Sequence, residues 1–366
     1  MSFSVNNAFG DLPAIGTAGH LQDQAIVYFQ DPAFFRLAFA KQQRSENLKK
    51  VFSAILEKQE KINLFIGNCL RGHTSDSPYL SVSYLAKDFF QDASDLEQKC
   101  ELLAGSIVLV TNGDVHIAGM QNLMRLYDGC PNTVFIIWDW DNHHWLGLST
   151  VLAAHSDVYV PAHPDNRYVL SRFNPAIAEA VTCASDQWTT PFLKERFRDI
   201  ASCVRVNDPL GMHRRYDPFQ YRNQVITTLN AYFPSVGFSP LHYEQKSPEM
   251  RLAEWCRHKV HWIVPVLNDI PIRLFDALIT GGIPLVPDSL RFASILRDIP
   301  DGDICYYGAA EIVEPMPLVE KAIKHFDDGG VPGILRRYRY ALEEHHADVR
   351  VREMIGYASL LIGVDF

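Results

Sequence analysis

The chain has 366 residues, of which 47% are hydrophobic, 11% aromatic and 21% charged; this excludes a disordered chain or a small disulfide scaffold and suggests two domains at roughly 150 residues each. Asp and Glu number 43 against 34 Lys and Arg, a net charge of −9. With no basic run to follow a phosphate backbone, nucleic acid is not expected as a partner, and an anionic ligand must be met by a local cluster. The seven cysteines, Cys69, Cys100, Cys130, Cys183, Cys203, Cys256 and Cys305, are odd in number and never C-x-x-C, which fits reduced thiols. No charged-then-apolar leader opens the chain, and no apolar run approaches about 18 residues. A cytoplasmic protein without a transmembrane segment is expected, with peripheral membrane contact left open.

In chain order, a helical preamble is predicted at Pro32–Lys41 and Glu46–Lys58. Strands follow at Ile62–Gly67, Ser106–Thr111, Val134–Trp138, Val158–Pro161 and Ala180–Cys183, with helices at Ala118–Tyr127 and Leu146–Ala154 between them. The stretch Ala184–Ile200 breaks the alternation and reads as an interdomain connection. A second series then has strands at Ala201–Val206, Val236–Pro240, Lys259–Val266, Ile283–Pro287 and Asp303–Tyr307. Its helices are predicted at Phe219–Phe233, Ser247–His258, Pro271–Thr280, Leu290–Arg297 and Leu318–Asp327, and a long helical pattern, Ile334–Leu361, closes the chain. The fold class is α/β with two mainly parallel sheets.

The window Lys259–Pro287 carries the most information. A buried strand runs into a polar loop with Asn268 and Asp269, either of which could cap the helix opened by Pro271, and Gly281-Gly282 stops that helix before the strand IPLV. The unit puts a helix N-terminus at the C-terminal edge of a parallel sheet, where open α/β sheets bind ligands and where the helix dipole suits an anion. The plain alternative is an ordinary crossover. No G-x-G-x-x-G follows any predicted strand, so a dinucleotide site is not expected.

The run Asp269-Ile-Pro-Ile-Arg273-Leu-Phe-Asp276-Ala-Leu-Ile-Thr-Gly281-Gly282-Ile-Pro-Leu-Val286 resembles the donor-binding segment of GT-B glycosyltransferases. In the retaining members that segment carries two Glu eight residues apart; here Asp276 matches the ribose-binding acid and Asn268 takes the earlier position. The resemblance implies two Rossmann-like domains facing across a cleft. The first, residues 1–195, would bind the acceptor; the second, 196–345, the nucleotide-sugar; a C-terminal helix, 346–366, would cross back onto the first. It also implies that Asn268, Asp269, Arg273, Asp276, Gly281 and Gly282 line the donor site.

The loop Gly211–Asn223 adds His213, Arg214 and Arg215 just before a helix start. Arginine forks match phosphate oxygens, so the three are candidate donor-binding residues that stabilise a diphosphate leaving group; an interdomain salt-bridge cluster is the alternative. Arg222 and Asn223 read as structural. A third group, Trp138-Asp-Trp-Asp-Asn-His-His-Trp145, ends the strand TVFII. Asp139, Asp141 or His143 is the candidate general base towards an acceptor hydroxyl, with His144 and, after the first strand, His73 as candidate acceptor-binding residues. D-x-D also permits a metal–diphosphate site, and a structural loop is the third reading. His163 and the terminal Glu343-Glu-His-His346 read as a loop cap and a solvated helix face.

Together these lead to a glycosyltransferase moving a sugar from a nucleotide-sugar donor to a glycan or glycolipid hydroxyl, in polysaccharide or other surface-glycan synthesis, inverting or retaining. No cofactor or resident metal is expected, the guanidinium groups and helix N-terminus serving the leaving group. The alternatives are a sugar-nucleotide epimerase or hydrolase of the same fold, and a non-catalytic glycan- or nucleotide-binding module.

Overall fold

The computed structural model describes residues 33–363 apart from 59, 175, 179–183, 240–245 and 268, with side chains from residue 40 onward. The expectations for Asn268, for the strand Ala180–Cys183 and for the ends at Pro32 and Pro240 lie outside the described residues. Helix α1 (Ala33–Glu57) is one 25-residue helix where the sequence predicted two, because the intervening Gln42, Gln43 and Arg44 are all good helix formers. Arg44 fastens α1 to the body of the protein. Its guanidinium donates to the Asp157 carboxylate at 2.7 Å and to the carbonyls of Tyr127, Cys130 and Thr133 at 3.0, 3.0 and 2.6 Å.

Strands β1 (Ile62–Ile66), β2 (Leu80–Tyr84), β3 (Ser106–Thr111), β4 (Val134–Asp139) and β5 (Val158–Pro161) form a parallel five-stranded sheet in the order β2-β1-β3-β4-β5. β3 and β4 are buried at every position, as a sheet covered on both faces requires. The sequence reading missed β2, whose LSVSY mixes serines among its apolar residues and is only half-buried. Helices α2 (Leu96–Leu103), α3 (Asn112–Gly129), α4 (Leu146–Ala154) and the short α5 (Arg167–Leu170) complete this half. α3 starts earlier than predicted because Thr111 and Asp114 form a capping box. The strand order reverses between β1 and β3, the usual ligand crevice, but Asp114 fills it. Its carboxylate accepts from the Cys69 and Thr111 amides at 2.9 and 2.8 Å, and any Cβ on Gly67 would overlap it.

After α6 (Thr190–Glu195) and α7 (Phe197–Ser202) come β6 (Gly211–His213), α8 (Gln220–Asn230), β7 (Val236–Phe238), α9 (Pro248–Cys256), β8 (Val260–Trp262), α10 (Ile272–Ile279), β9 (Ile283–Pro287) and β10 (Cys305–Tyr307). β6 pairs with β7, and β8, β9 and β10 form a second parallel group. A bridge from Leu210 to His261 joins the two, with Leu210 N donating to Val260 O at 2.9 Å and Trp262 N to Leu210 O at 2.7 Å. The resulting order, β7-β6-β8-β9-β10, repeats the winding of the first sheet in a chain without a sequence repeat. The strand expected at Ala201–Val206 is replaced by α7 and a lone bridge from Val206 to His258. The helix expected at Leu290–Arg297 is two 3-10 turns, Asp288–Phe292 and Ser294–Leu296.

The C-terminal helical region divides differently from the prediction. After α11 (Ala309–Val313), α12 (Met316–Glu344) kinks at Gly330 beside Pro332, and Arg336 and Arg337 hold it to the buried Asp303 at 2.5 and 2.7 Å. The chain then breaks at His345–His346 rather than running through to Leu361. The break follows from tertiary contacts: the buried His346 bonds the Trp188 carbonyl at 2.7 Å through Nε2, while its Nδ1 caps α13 (Ala347–Ile362) by accepting from Asp348 N at 3.2 Å. α13 packs Val351, Met354, Ile355, Ala358 and Ile362 into the core beneath the first sheet. Among the described residues, no helix is long and apolar enough to cross a membrane.

Candidate functional site

The C-terminal edges of the two sheets meet. From the first come the loops after β4 and β5; from the second come the segment after β6 and the loop from β8 to α10. In that last loop Leu267 takes a left-handed conformation (φ 56°), a strained turn for a bulky residue, and two residues on Asp269 is buried. Asp269, His143 and His163 bring one ligand atom each to within 4.8 Å of one another, across the two halves of the chain.

Behind this cluster a cavity of about 440 Å³ opens at the strand-order reversal of the second sheet, between β6 and β8. Phe219, Tyr221 and Arg222 line it from the start of α8, with Pro265, Pro287 and Tyr307 from the strand ends. Its lining combines three aromatic rings, three prolines and the aliphatic Val225, Val264 and Leu267, a largely apolar surround suited to a planar heterocycle. Arg222 is buried, and its Nε and Nη1 donate to the carbonyls of Val264 and Arg214 at 3.0 and 2.7 Å. Burial, then the neighbouring Arg273, lower its pKa to about 10, so it remains a cation at neutral pH. Arg273 is half-buried in the first turn of α10. Its charge depresses the pKa of the buried His213, after burial itself.

In the loop after β4, Asp139 and Asp141 point different ways. Asp139 is buried, accepting from Tyr159 Oη at 2.6 Å and the Asp141 amide at 3.1 Å, and burial raises its pKa to about 6. The Asp141 side chain is 41% exposed and lies 3.8 Å from His144 Nε2. Asn112 orients it by donating to Oδ2 at 2.7 Å while accepting from Trp140 N at 2.9 Å. The D-x-D pair therefore does not converge on a metal. The His144 ring lies 5.8 Å from Phe219, so Asp141 is one side chain away from the cavity wall. Burial holds His143, His144 and His163 neutral, with pKa values lowered to about 2, 4 and 4, and raises Asp269 to about 7.

Several expected site residues stand elsewhere. Asp276 is fully buried, with Ser185 Oγ donating to Oδ1 at 2.6 Å and Gln187 Nε2 donating to Oδ2, so neither oxygen faces the cavity. The resemblance put Asp276 and Arg273 together in the donor site; the segment 184–188 covers Asp276. Asp269 does not cap α10, which Pro271 precedes with no side-chain cap. Gly281 and Gly282 are packing glycines: a Cβ would meet Ile334 at one and His261 at the other. Arg214 and Arg215 are exposed, Arg215 pairing with Asp217 at 3.3 Å. His73 bonds Asp348 at 2.8 Å and the Asp186 carbonyl at 3.1 Å, a brace between α13 and the 184–188 segment rather than a free side chain. Two residues that the sequence reading set aside, Arg222 and His163, belong to the site. Arg222 carried a signal as a basic residue on the apolar face of its helix, in register with Val225, Ile226 and Leu229; His163 carried one as a polar residue in the loop after a buried strand.

No protein-family model matches the sequence, and no curated protein is significantly similar to it.

Proposed function

We propose that the protein is a glycosyltransferase that moves a sugar from a nucleotide-sugar to a hydroxyl acceptor, with the two halves of the chain acting as the donor and acceptor domains of a GT-B enzyme. The observation that carries this reading is the cavity at the strand-order reversal of the second sheet, lined by the cation Arg222, which feels the charge of the neighbouring Arg273, and reached from the first sheet through His144, which lies between Phe219 and Asp141. The nucleobase lies between the rings of Tyr221, Phe219 and Tyr307, and the diphosphate points towards the two guanidinium groups. Asp141, held by Asn112, accepts the proton of the acceptor hydroxyl as its oxygen bonds to the sugar C1 and the bond from C1 to the phosphate oxygen breaks. The negative charge left on the nucleoside diphosphate is met by Arg222 and Arg273, so turnover needs no added Mg²⁺ or Mn²⁺.

Calorimetric titration with UDP, GDP, ADP, CDP and dTDP tests the donor site. One of them is expected to bind, and Arg273→Gln, which removes a charge-assisted bond of about 1.5–3 kcal/mol, to weaken it roughly ten- to a hundredfold. Binding of none, or binding indifferent to Arg273, would remove the basis of this reading.

A further inference from the structure

The cluster of His143, His163 and Asp269 has a chemistry that sugar transfer does not use. His163 Nε2 lies 3.1 Å from the Trp140 carbonyl, which can only accept, so this nitrogen carries the proton and Nδ1 the lone pair. His143 Nε2 lies 2.8 Å from His144 Nδ1, and His144 Nε2 faces the Asp141 carboxylate at 3.8 Å. With the His144 proton on Nε2, the nitrogen nearer the Asp141 carboxylate, His143 donates from Nε2 to His144 Nδ1 and keeps its lone pair on Nδ1, which is buried without a hydrogen-bond partner. Asp269 Oδ1 is likewise buried and unpartnered. Each imidazole thus has its outer N–H tied to a carbonyl or to a second imidazole, the kind of outer-shell support that fixes metal-ligating histidines.

We propose that His143, His163 and Asp269 bind a divalent transition-metal ion, zinc by ligand chemistry, which pins the loops of the first sheet to the β8–α10 loop of the second beside the donor cavity. Two imidazole nitrogens and one carboxylate oxygen suit Zn²⁺ better than Mg²⁺, which prefers oxygen alone, and three protein ligands leave a fourth position for water. A tetrahedral ion at about 2.0–2.1 Å from its ligands sets them about 3.4 Å apart. The present limit of 4.8 Å therefore closes by side-chain rotation. Asp141, whose charge is felt at Asp269, adds a second negative group towards the cation and offsets Arg222 and Arg273.

The test uses the full chain, purified without chelator, then stripped and titrated with Zn²⁺. About one zinc per chain by elemental analysis is expected, with a rise in melting temperature when Zn²⁺ is restored and visible d–d bands of a four-coordinate site on Co²⁺ substitution. Asp269→Asn, which keeps the shape, and His163→Gln should each weaken Zn²⁺ binding at least about tenfold. No bound metal and no thermal response of the wild-type protein to Zn²⁺, Co²⁺ or Ni²⁺ would overturn the proposal, as would tight binding retained in both variants. Metal, not sugar product, is read out, so failure here leaves the transferase reading standing.

Discussion

Asp276→Asn separates a buried structural carboxyl from a ligand-binding one. Burial first, then the neighbouring Asp186, raise the pKa of Asp276 from 3.8 to about 7 against the opposing hydrogen bonds of Ser185 and Gln187. A rise of that size corresponds to about 4 kcal/mol, at about 1.4 kcal/mol for each tenfold change in proton affinity. The folded protein binds this proton more tightly than the unfolded chain, so the contribution is fully present below pH 3.8, declines as pH rises to about 7, and is gone above it. Asparagine never ionises and escapes that loss. It also fits: Gln187 Oε1 is buried and unpartnered, so turning that amide lets it accept from the new Asn NH₂ while Ser185 keeps its bond. Urea unfolding of both proteins at pH 4 and pH 8 should give equal stabilities at the lower pH and a variant more stable by up to about 4 kcal/mol at the higher one. Because neither oxygen reaches the cavity, nucleoside diphosphate affinity should stay within about twofold. A stability difference independent of pH, or a large loss of nucleotide affinity, would refute the reasoning.

Gly281→Ala should destabilise by about 2–4 kcal/mol in thermal melts: φ is +78°, and the new Cβ would stand 2.5 Å from Ile334 Cγ2. Arg44→Met should cost about 3–5 kcal/mol, since it takes the cation from the buried Asp157 carboxylate and a charged donor from the carbonyls of Tyr127, Cys130 and Thr133. Arg215→Ala should change stability by less than about 0.5 kcal/mol, because its pair with Asp217 is solvent-exposed.

The sequence made the central strands legible where burial on both faces demanded unbroken β-branched runs: SIVLVT at β3, VFIIWD at β4 and IPLVP at β9. It hid β6, whose three residues Gly-Met-His carry no strand pattern and become a strand only through pairing with Val236–Phe238. The break between α12 and α13 was equally invisible, since His346 caps a helix only when Trp188 and Thr190 are beside it. At the site, the acids and histidines after a buried strand brought out Asp141 and His143, and the family resemblance alone brought out Asp269 and Arg273; all four lie on loops or first turns following buried strands. It could not tell that Asp276, three residues beyond Arg273 on the same helix, is covered by residues nearly a hundred positions earlier.

Incubating the protein with a panel of nucleotide-sugars, with and without glycan acceptors, and reading the products by mass spectrometry tests the central claim most directly. The account expects a glycosylated acceptor and free nucleoside diphosphate from one donor, both strongly reduced in Asp141→Asn. Product formed without acceptor, or no product from any donor that binds, would contradict it.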